Sequence, residues 1–448
     1  MTHDIKSQDG MTRREIVFAG AAGVVGLAIG GGVVGAITSG GGSDSGGSSS
    51  GGGGGGSTKP IVIGGAFPLT GVSAGDGVEA KRALEMAAED LNAGGGVAGR
   101  KVETAVLDIE SDLVPDKIRN VFQRLVNENN VAMISMVFTE YTNGSWDPVV
   151  TKGIPTFHVN ASIINTDWVK EDPATRGMIF ESCPNETHYG PNLVGLLDRI
   201  QQSGKWTPKK KNVAIVTSTD PYSLLIAENF RDGISKEGWD VALFEKVTAP
   251  LSEWGPVLAK VREISPDLVV NTDWLATDLA AFTKQFMASP TPSLVYEQFG
   301  PSTPEYLELA GDAANGVIWS TTVGVLPDKM GEEFRAKFDA KFGVPMGFST
   351  AGAIYDQVML WANGAGLAGD PEDYPRVVKN IQAGIHRGIV GTEHFDTADN
   401  QAYSYPSDIN DPSLAMPLLS FQIQNQKQIC IDPFPYPTGE FQLPPQLS

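Results

Sequence analysis

The chain has 448 residues, 41% of them hydrophobic, which exceeds one ordinary domain and provides enough apolar material for two separate cores. Its formal net charge is −20 and its only basic run is Lys209–Lys211, which argues against a nucleic-acid partner, since that would require phosphate neutralisation. The acidity belongs to the folded part, because Lys6, Arg13 and Arg14 balance Asp4, Asp9 and Glu15 at the N-terminus.

The first segment is read as an address rather than as fold. TRREIVF (12–18) places paired arginines before a glycine-diluted apolar stretch from Ile16 to Ile37, which resembles a twin-arginine export signal. A transmembrane anchor is the alternative. No cysteine follows the stretch, so lipid attachment there is excluded, and no clear A-x-A cleavage site is present, which leaves an uncleaved anchor open. Residues 39–58 are nearly all Gly and Ser, a flexible linker whose ends lie about 25 Å apart. Cys183 and Cys430 are the only cysteines; an oxidising compartment would permit a bond between them, but spacing alone does not settle it.

From Lys59 onward, β-branched runs alternate with helical periods. IVIGGAF (61–67), VETAVLD (102–108) and VAMISMV (131–137) read as strands, separated by helices over 77–92 and 115–129. That β-α-β-α-β order implies a parallel sheet with right-handed crossovers. The rhythm restarts with NVAIVTS (212–218), a helix over 224–235, DVALFEKV (240–247), a helix over 253–264 and DLVVNTD (267–273), giving a second sheet of the same kind. After Gly316, helices over 331–343, 349–367 and 376–383 suit a return to the first lobe, with the closing strands returning to the second. The division expected is 59–182 plus 320–388 for lobe 1 and 183–319 plus 389–448 for lobe 2.

TGVSAGDGVEA (70–80) carries three readings. Gly71, Ser73 and Gly75 spell the G-x-S-x-G of a hydrolase. That turn needs a strand running straight into it and an earlier strand for oxyanion donors, and only linker lies upstream. Gly75, Gly77 and Ala80 spell a dinucleotide turn, yet the strand ends well before Gly75 and the next strand-end acid, Asp108, comes too late for a ribose. What remains is a loop at the carboxyl edge of the first strand, where open α/β folds bind ligands. Asp76 with Glu79 reads as a capping box for the helix that follows.

IVIGGAFPLTG, AAEDLNAGGGVAGRKVE and LDIESD, followed by VFTEYTNGSWDPVVTKGIPTFHVNAS, NVAIVTSTDPYS, SPDLVVNTDW and AGDAANGVIWST, resemble extracytoplasmic solute-binding proteins of the leucine/isoleucine/valine-binding type, which feed ABC importers. The order and spacing of these segments across residues 60–400 carry the resemblance. It implies an α/β fold of two Rossmann-like lobes joined by three crossovers, with the ligand enclosed between them.

Site positions follow from the resemblance one at a time. Thr139 falls where a ligand carboxylate is gripped, Ser162 supplies a second hydroxyl, and the Asn160 carbonyl is in reach. Tyr222 and Trp274 fall where rings close from the second lobe. The acid that pairs with an ammonium falls in VYEQFG, where Glu297, Gln298 and Phe299 are left as alternatives. Asp76, Glu140, Tyr141 and Asp273 are weaker candidates. Each has a plain structural alternative: a helix cap for Thr139 and Ser162, core packing for Tyr222 and Trp274, a solvated charge for Glu297. The five histidines show no metal-ligand spacing, so neither a metal nor a cofactor is expected.

The reading is an exported protein that hands a small polar molecule, an amino acid or a related amide or carboxylic acid, to the permease subunits of an ABC importer. The twin-arginine machinery would be its export partner. A sensor ectodomain of the same shape is the rival, disfavoured because no signalling domain accompanies the lobes, and a hydrolase is the third option.

Overall fold

The computed structural model describes residues 59–447. The arginine pair, the apolar stretch and the Gly/Ser linker lie outside them.

Two sheets organise the chain. The first has the order β2-β1-β3-β4-β5, from β1 (Ile61–Phe67), β2 (Val102–Asp108), β3 (Ile134–Met136), β4 (Thr156–His158) and β5 (Ile179–Glu181), with every pairing parallel. The central strand β1 is almost wholly buried, as expected of a parallel strand covered on both faces. Gly65 is required there: a Cβ would meet the Phe67 ring at 2.5 Å. The second sheet has the order β16-β15-β10-β9-β8-β6-β7. Its parallel part is β6 (Asn212–Ser218), β7 (Asp240–Val247), β8 (Leu268–Asn271), β9 (Leu294–Gln298) and β10 (Ile318–Thr321). Between β10 and the last two strands the chain forms two small two-stranded sheets, β11 (Ile385–Arg387) with β12 (Thr392–His394) and β13 (Ser404–Tyr405) with β14 (Met416–Pro417). It then adds β15 (Leu419–Gln424) and β16 (Lys427–Asp432) as an antiparallel hairpin on β10. The hairpin turns at Asn425 and Gln426, both at positive φ, the backbone that a tight two-residue turn demands.

The helices Lys329–Phe342, Thr350–Ala368 and Tyr374–Ala383 return to the first sheet, as the sequence implies. The central one is the best buried: Trp361 is fully enclosed, and Gln357 accepts a 2.5 Å hydrogen bond from Ser135 of β3. Each large apolar side chain enclosed in this way contributes about 1.5–3 kcal/mol.

Two expectations are corrected. Asp76 and Glu79 do not form a capping box. The helix begins three residues earlier, at Ala74, with Ser73 at its cap position and no side-chain capping bond. The two acids instead serve a different helix. Glu79 accepts the backbone N–H groups of Gly347 and Ala351 at 2.7 and 3.0 Å, the second a donor in the first turn of Thr350–Ala368, and Asp76 accepts the Thr350 hydroxyl at 2.7 Å, so together they hold the start of that helix from outside. The second correction concerns the return to the second lobe, which comes at Leu419 rather than 389. Phe395 packs edge-on against Phe180 at 5.2 Å, and residues 400–402 hydrogen-bond along β5, which covers that edge.

Cys183 and Cys430 are both free and buried, one in the core around the first sheet and the other in the core around the second.

Candidate ligand-binding site

The strands of both sheets end toward a shared cleft, and the segments leaving them line a cavity there. After β3 come Phe138 and Tyr141; after β4, Val159, Asn160 and Ala161; after β8 and β9, Trp274 and Phe299. Tyr222 enters from the helix after β6, Tyr189 from the first crossing between the lobes, and Thr322 and Val323 from the second. This is the carboxyl-edge position at which parallel sheets present ligands. Toward solvent the cavity opens into a groove that shares Leu113, Tyr141 and Trp274 with it.

The opening loop forms one lip of that groove through Thr70, Gly71 and Val72. Asp108 at the end of β2 anchors it, accepting from the Leu69 backbone at 2.8 Å and the Thr70 hydroxyl at 2.7 Å. The Ser73 hydroxyl bonds Ser111 at 2.9 Å. A Cβ on Gly77 would meet the Pro68 carbonyl oxygen at 2.0 Å, so the glycine that resembles a nucleotide motif allows this loop to lie against its helix.

Of the residues that the sequence nominates, Asn160, Tyr141, Tyr222 and Trp274 line the cavity. Thr139 and Ser162 adjoin the lining residues Phe138 and Ala161; both are fully buried, and neither hydroxyl has a protein partner. Neither side chain caps a helix: Ser162 sits at the cap position of Ile163–Glu171 without the capping bond. Gln298 is one step behind the wall. Its side-chain amide donates to the Tyr222 hydroxyl at 2.7 Å, while its carbonyl accepts from Tyr296 at 2.6 Å.

The acids are engaged elsewhere. Glu297, fully buried, accepts from Thr283 beside Tyr306, and burial pushes its carboxyl up to about 8; it is neither a cavity residue nor a solvated charge. Glu140 reaches the groove but accepts from the backbone and hydroxyl groups of Thr142 and Ser145, which ties its own loop together. Asp273 accepts the backbone N–H groups of Trp274 and Leu275 and so holds the turn that presents Trp274; burial lifts it to about 7. Asp76 is likewise lifted to about 7 by burial and belongs to the helix cap. Among the described residues no group of three or more His, Cys, Asp or Glu side chains is placed to hold a metal.

Sequence reasoning missed Leu113, Phe138 and Tyr189 and left Phe299 undecided. Leu113 and Phe299 hold φ of 51° and 53°, a region costly for side chains with a Cβ, and both line the cavity. For Phe138 the available signal was its place directly after the third strand, where any large ring would face the cleft.

A profile described as periplasmic binding protein matches residues 60–405. The crystal structure of a protein from Silicibacter pomeroyi, assigned as a branched-chain amino acid ABC transporter, is 36% identical, covers 86% of this chain and 100% of its own, and superposes with a TM-score of 0.79. The Leu/Ile/Val-binding protein homolog 3 of Brucella melitensis is 22% identical over 77% of this chain and 90% of its own. LivJ of Streptococcus pneumoniae, a branched-chain amino acid transporter substrate-binding protein solved with isoleucine, shares the fold at 18% identity and a TM-score of 0.68, covering 84% of this chain and 100% of its own.

Proposed function

The chain belongs to the periplasmic binding protein family, and from that premise we propose that it is the extracytoplasmic receptor of an ABC importer, enclosing a small polar solute between its lobes and delivering it to the permease. The family consists of solute-binding proteins, which are not enzymes. The observation that carries the proposal is the cavity at the carboxyl ends of both sheets, walled from both lobes and from two of the crossings between them.

Closure supplies the mechanism. Phe138 and Asn160 on one side, and Tyr222, Trp274 and Phe299 on the other, contact one solute together only when the lobes meet. A ligand that prefers the closed arrangement shifts the population toward it, and a shift from mostly open to mostly closed needs about 5.5 kcal/mol of differential affinity. A few buried hydrogen bonds and ring contacts are of that order. The lobes would be 59–182 with roughly 322–418, and the remainder, hinged at the three crossings. Export by the twin-arginine route, with or without retention of the apolar segment as a tether, completes the proposal.

Supporting the transport role is the Silicibacter pomeroyi protein, assigned to a transporter at 36% identity. A thermal-shift screen of the purified protein against amino acids, amides, urea, aromatic acids and alkylated amines tests the reading. One chemical class should raise the melting temperature, and uniform silence across a broad panel would contradict a receptor role.

A further inference from the structure

We propose that the solute carries a quaternary, methylated ammonium group of the kind found in betaines and choline, an assignment that rests on the solute-binding reading above. Six of the twelve residues around the cavity are aromatic, namely Phe138, Tyr141, Tyr189, Tyr222, Trp274 and Phe299, and none is Asp, Glu, Lys, Arg or His. An ammonium bearing N–H groups would give up water there without gaining a carboxylate. Of the nearby acids, Glu140 is held by Thr142 and Ser145, and Asp220 by the Ser218 hydroxyl and the Ser223 backbone at 3.0 Å; Glu297 and Asp273 each keep one buried oxygen without a protein partner, but neither lines the cavity. A methylated nitrogen has no N–H to satisfy. Its charge is drawn to ring faces and its methyl groups pack on them.

The rings meet at corners rather than in a flat stack. Phe138 is tilted 56° to Trp274 and stands at 81° to Phe299, while Tyr189 stands at 80° to Tyr222. Walls set at such angles enclose a compact cation on several sides. The groove outside is lined by Glu110, Asp112, Glu140 and Asp220 and by no basic residue; Lys117 pairs with the first two at 2.5 and 2.7 Å without itself lining it. In a chain of net charge −20, a mouth of that sign concentrates cations and repels anions.

The same wall provides for a polar tail. The Tyr222 hydroxyl accepts from Gln298, and the Tyr189 hydroxyl accepts from the Thr322 backbone at 3.1 Å. The Tyr189 hydroxyl also lies 3.3 Å from the Thr322 hydroxyl, so the two phenols and Thr322 form a polar edge of the wall whose hydroxyls can turn to a betaine carboxylate or a choline hydroxyl.

Calorimetric titration of the full chain with matched pairs tests this: glycine betaine against glycine, choline against ethanolamine, and choline against its uncharged isostere 3,3-dimethylbutanol. At least one quaternary compound should bind ten times or more tighter than both its primary amine and, for choline, the isostere. The betaine and choline arms distinguish the two sources of the group. Replacing Trp274 with Leu should weaken that binding tenfold or more, whereas Trp274→Phe should retain most of it. Binding of L-leucine, L-phenylalanine or benzoate with betaine and choline silent would overturn the assignment and leave the receptor reading intact. Silence of every compound here would overturn the assignment alone, since the receptor reading is decided by the wider thermal screen.

Discussion

The ring of Phe138, which follows β3 of the first sheet, lies 5.2 Å from the ring of Trp274, which follows β8 of the second, and both line the cavity. Trp274 is only partly buried and the turn around Asp273 holds it in place, as suits a ring that lands on a ligand rather than one that supports a core. Trp274→Ala should therefore weaken ligand binding tenfold or more, about 1.4 kcal/mol, while the melting temperature of the ligand-free protein changes little. Equal losses in titration and in melting would make the ring a core residue.

Gln298 acts through Tyr222. Gln298→Leu removes the amide that bonds the Tyr222 hydroxyl and leaves Tyr296 without its acceptor, at a cost of about 1–3 kcal/mol of stability. The affinity loss should be larger for ligands with an oxygen acceptor than for those without, a difference that a purely structural defect would not produce. Titration of choline against tetramethylammonium in the variant measures it.

Glu79 caps a helix far along the chain, so its role is stability alone. Glu79→Ala frees two backbone N–H groups, that of Ala351 in the first turn of Thr350–Ala368 and that of Gly347 in the segment leading into it, and should cost about 1–2 kcal/mol in denaturant unfolding, with ligand affinity unchanged. An affinity loss without a stability loss would move this acid into the site.

Burial makes stability depend on pH in an unusual direction. Glu297 is lifted to about 8 in the folded protein, so it keeps a proton that the unfolded chain releases near pH 4.3. Between those values the folded state binds more protons. The stabilisation is therefore complete below the lower value and is lost as pH rises through the upper one. Asp76, Glu186 and Asp273, each lifted to about 7 mainly by burial, add to the same slope. The parent should melt lower at pH 8.5 than at pH 5.5. Glu297→Gln, permanently neutral, should flatten the profile by an amount on the order of a few kcal/mol. Parallel melting profiles for variant and parent would contradict the assignment.

The export proposal is tested at residues outside those the structure describes. Replacing both Arg13 and Arg14 with Lys should leave the protein in the cytoplasm on fractionation. Normal export of that variant would remove the twin-arginine route.

Much of the framework was legible because local pattern and tertiary environment agree. The apolar runs at 61–67, 102–108, 212–218 and 240–247 coincide with β1, β2, β6 and β7. In LVYEQ every residue of β9 is buried, so alternation could not say that Glu297 turns toward Thr283 while Gln298 turns toward Tyr222. Asp76 and Glu79 have capping-box spacing, but their acceptor capacity is used by a helix more than 260 residues away, a relationship that no local window contains. Leu113 and Phe299 reach the cavity through backbone at positive φ, which nothing in their residue type announces.

The central claim, that a solute is enclosed by the two lobes closing on it, is tested most directly by small-angle scattering on the purified protein with and without the strongest ligand from the thermal screen. The radius of gyration should fall on saturation, and the fall should be lost in Trp274→Ala at the same ligand concentration. Identical scattering curves at a concentration that fully shifts the melting temperature would show binding without closure and contradict the account.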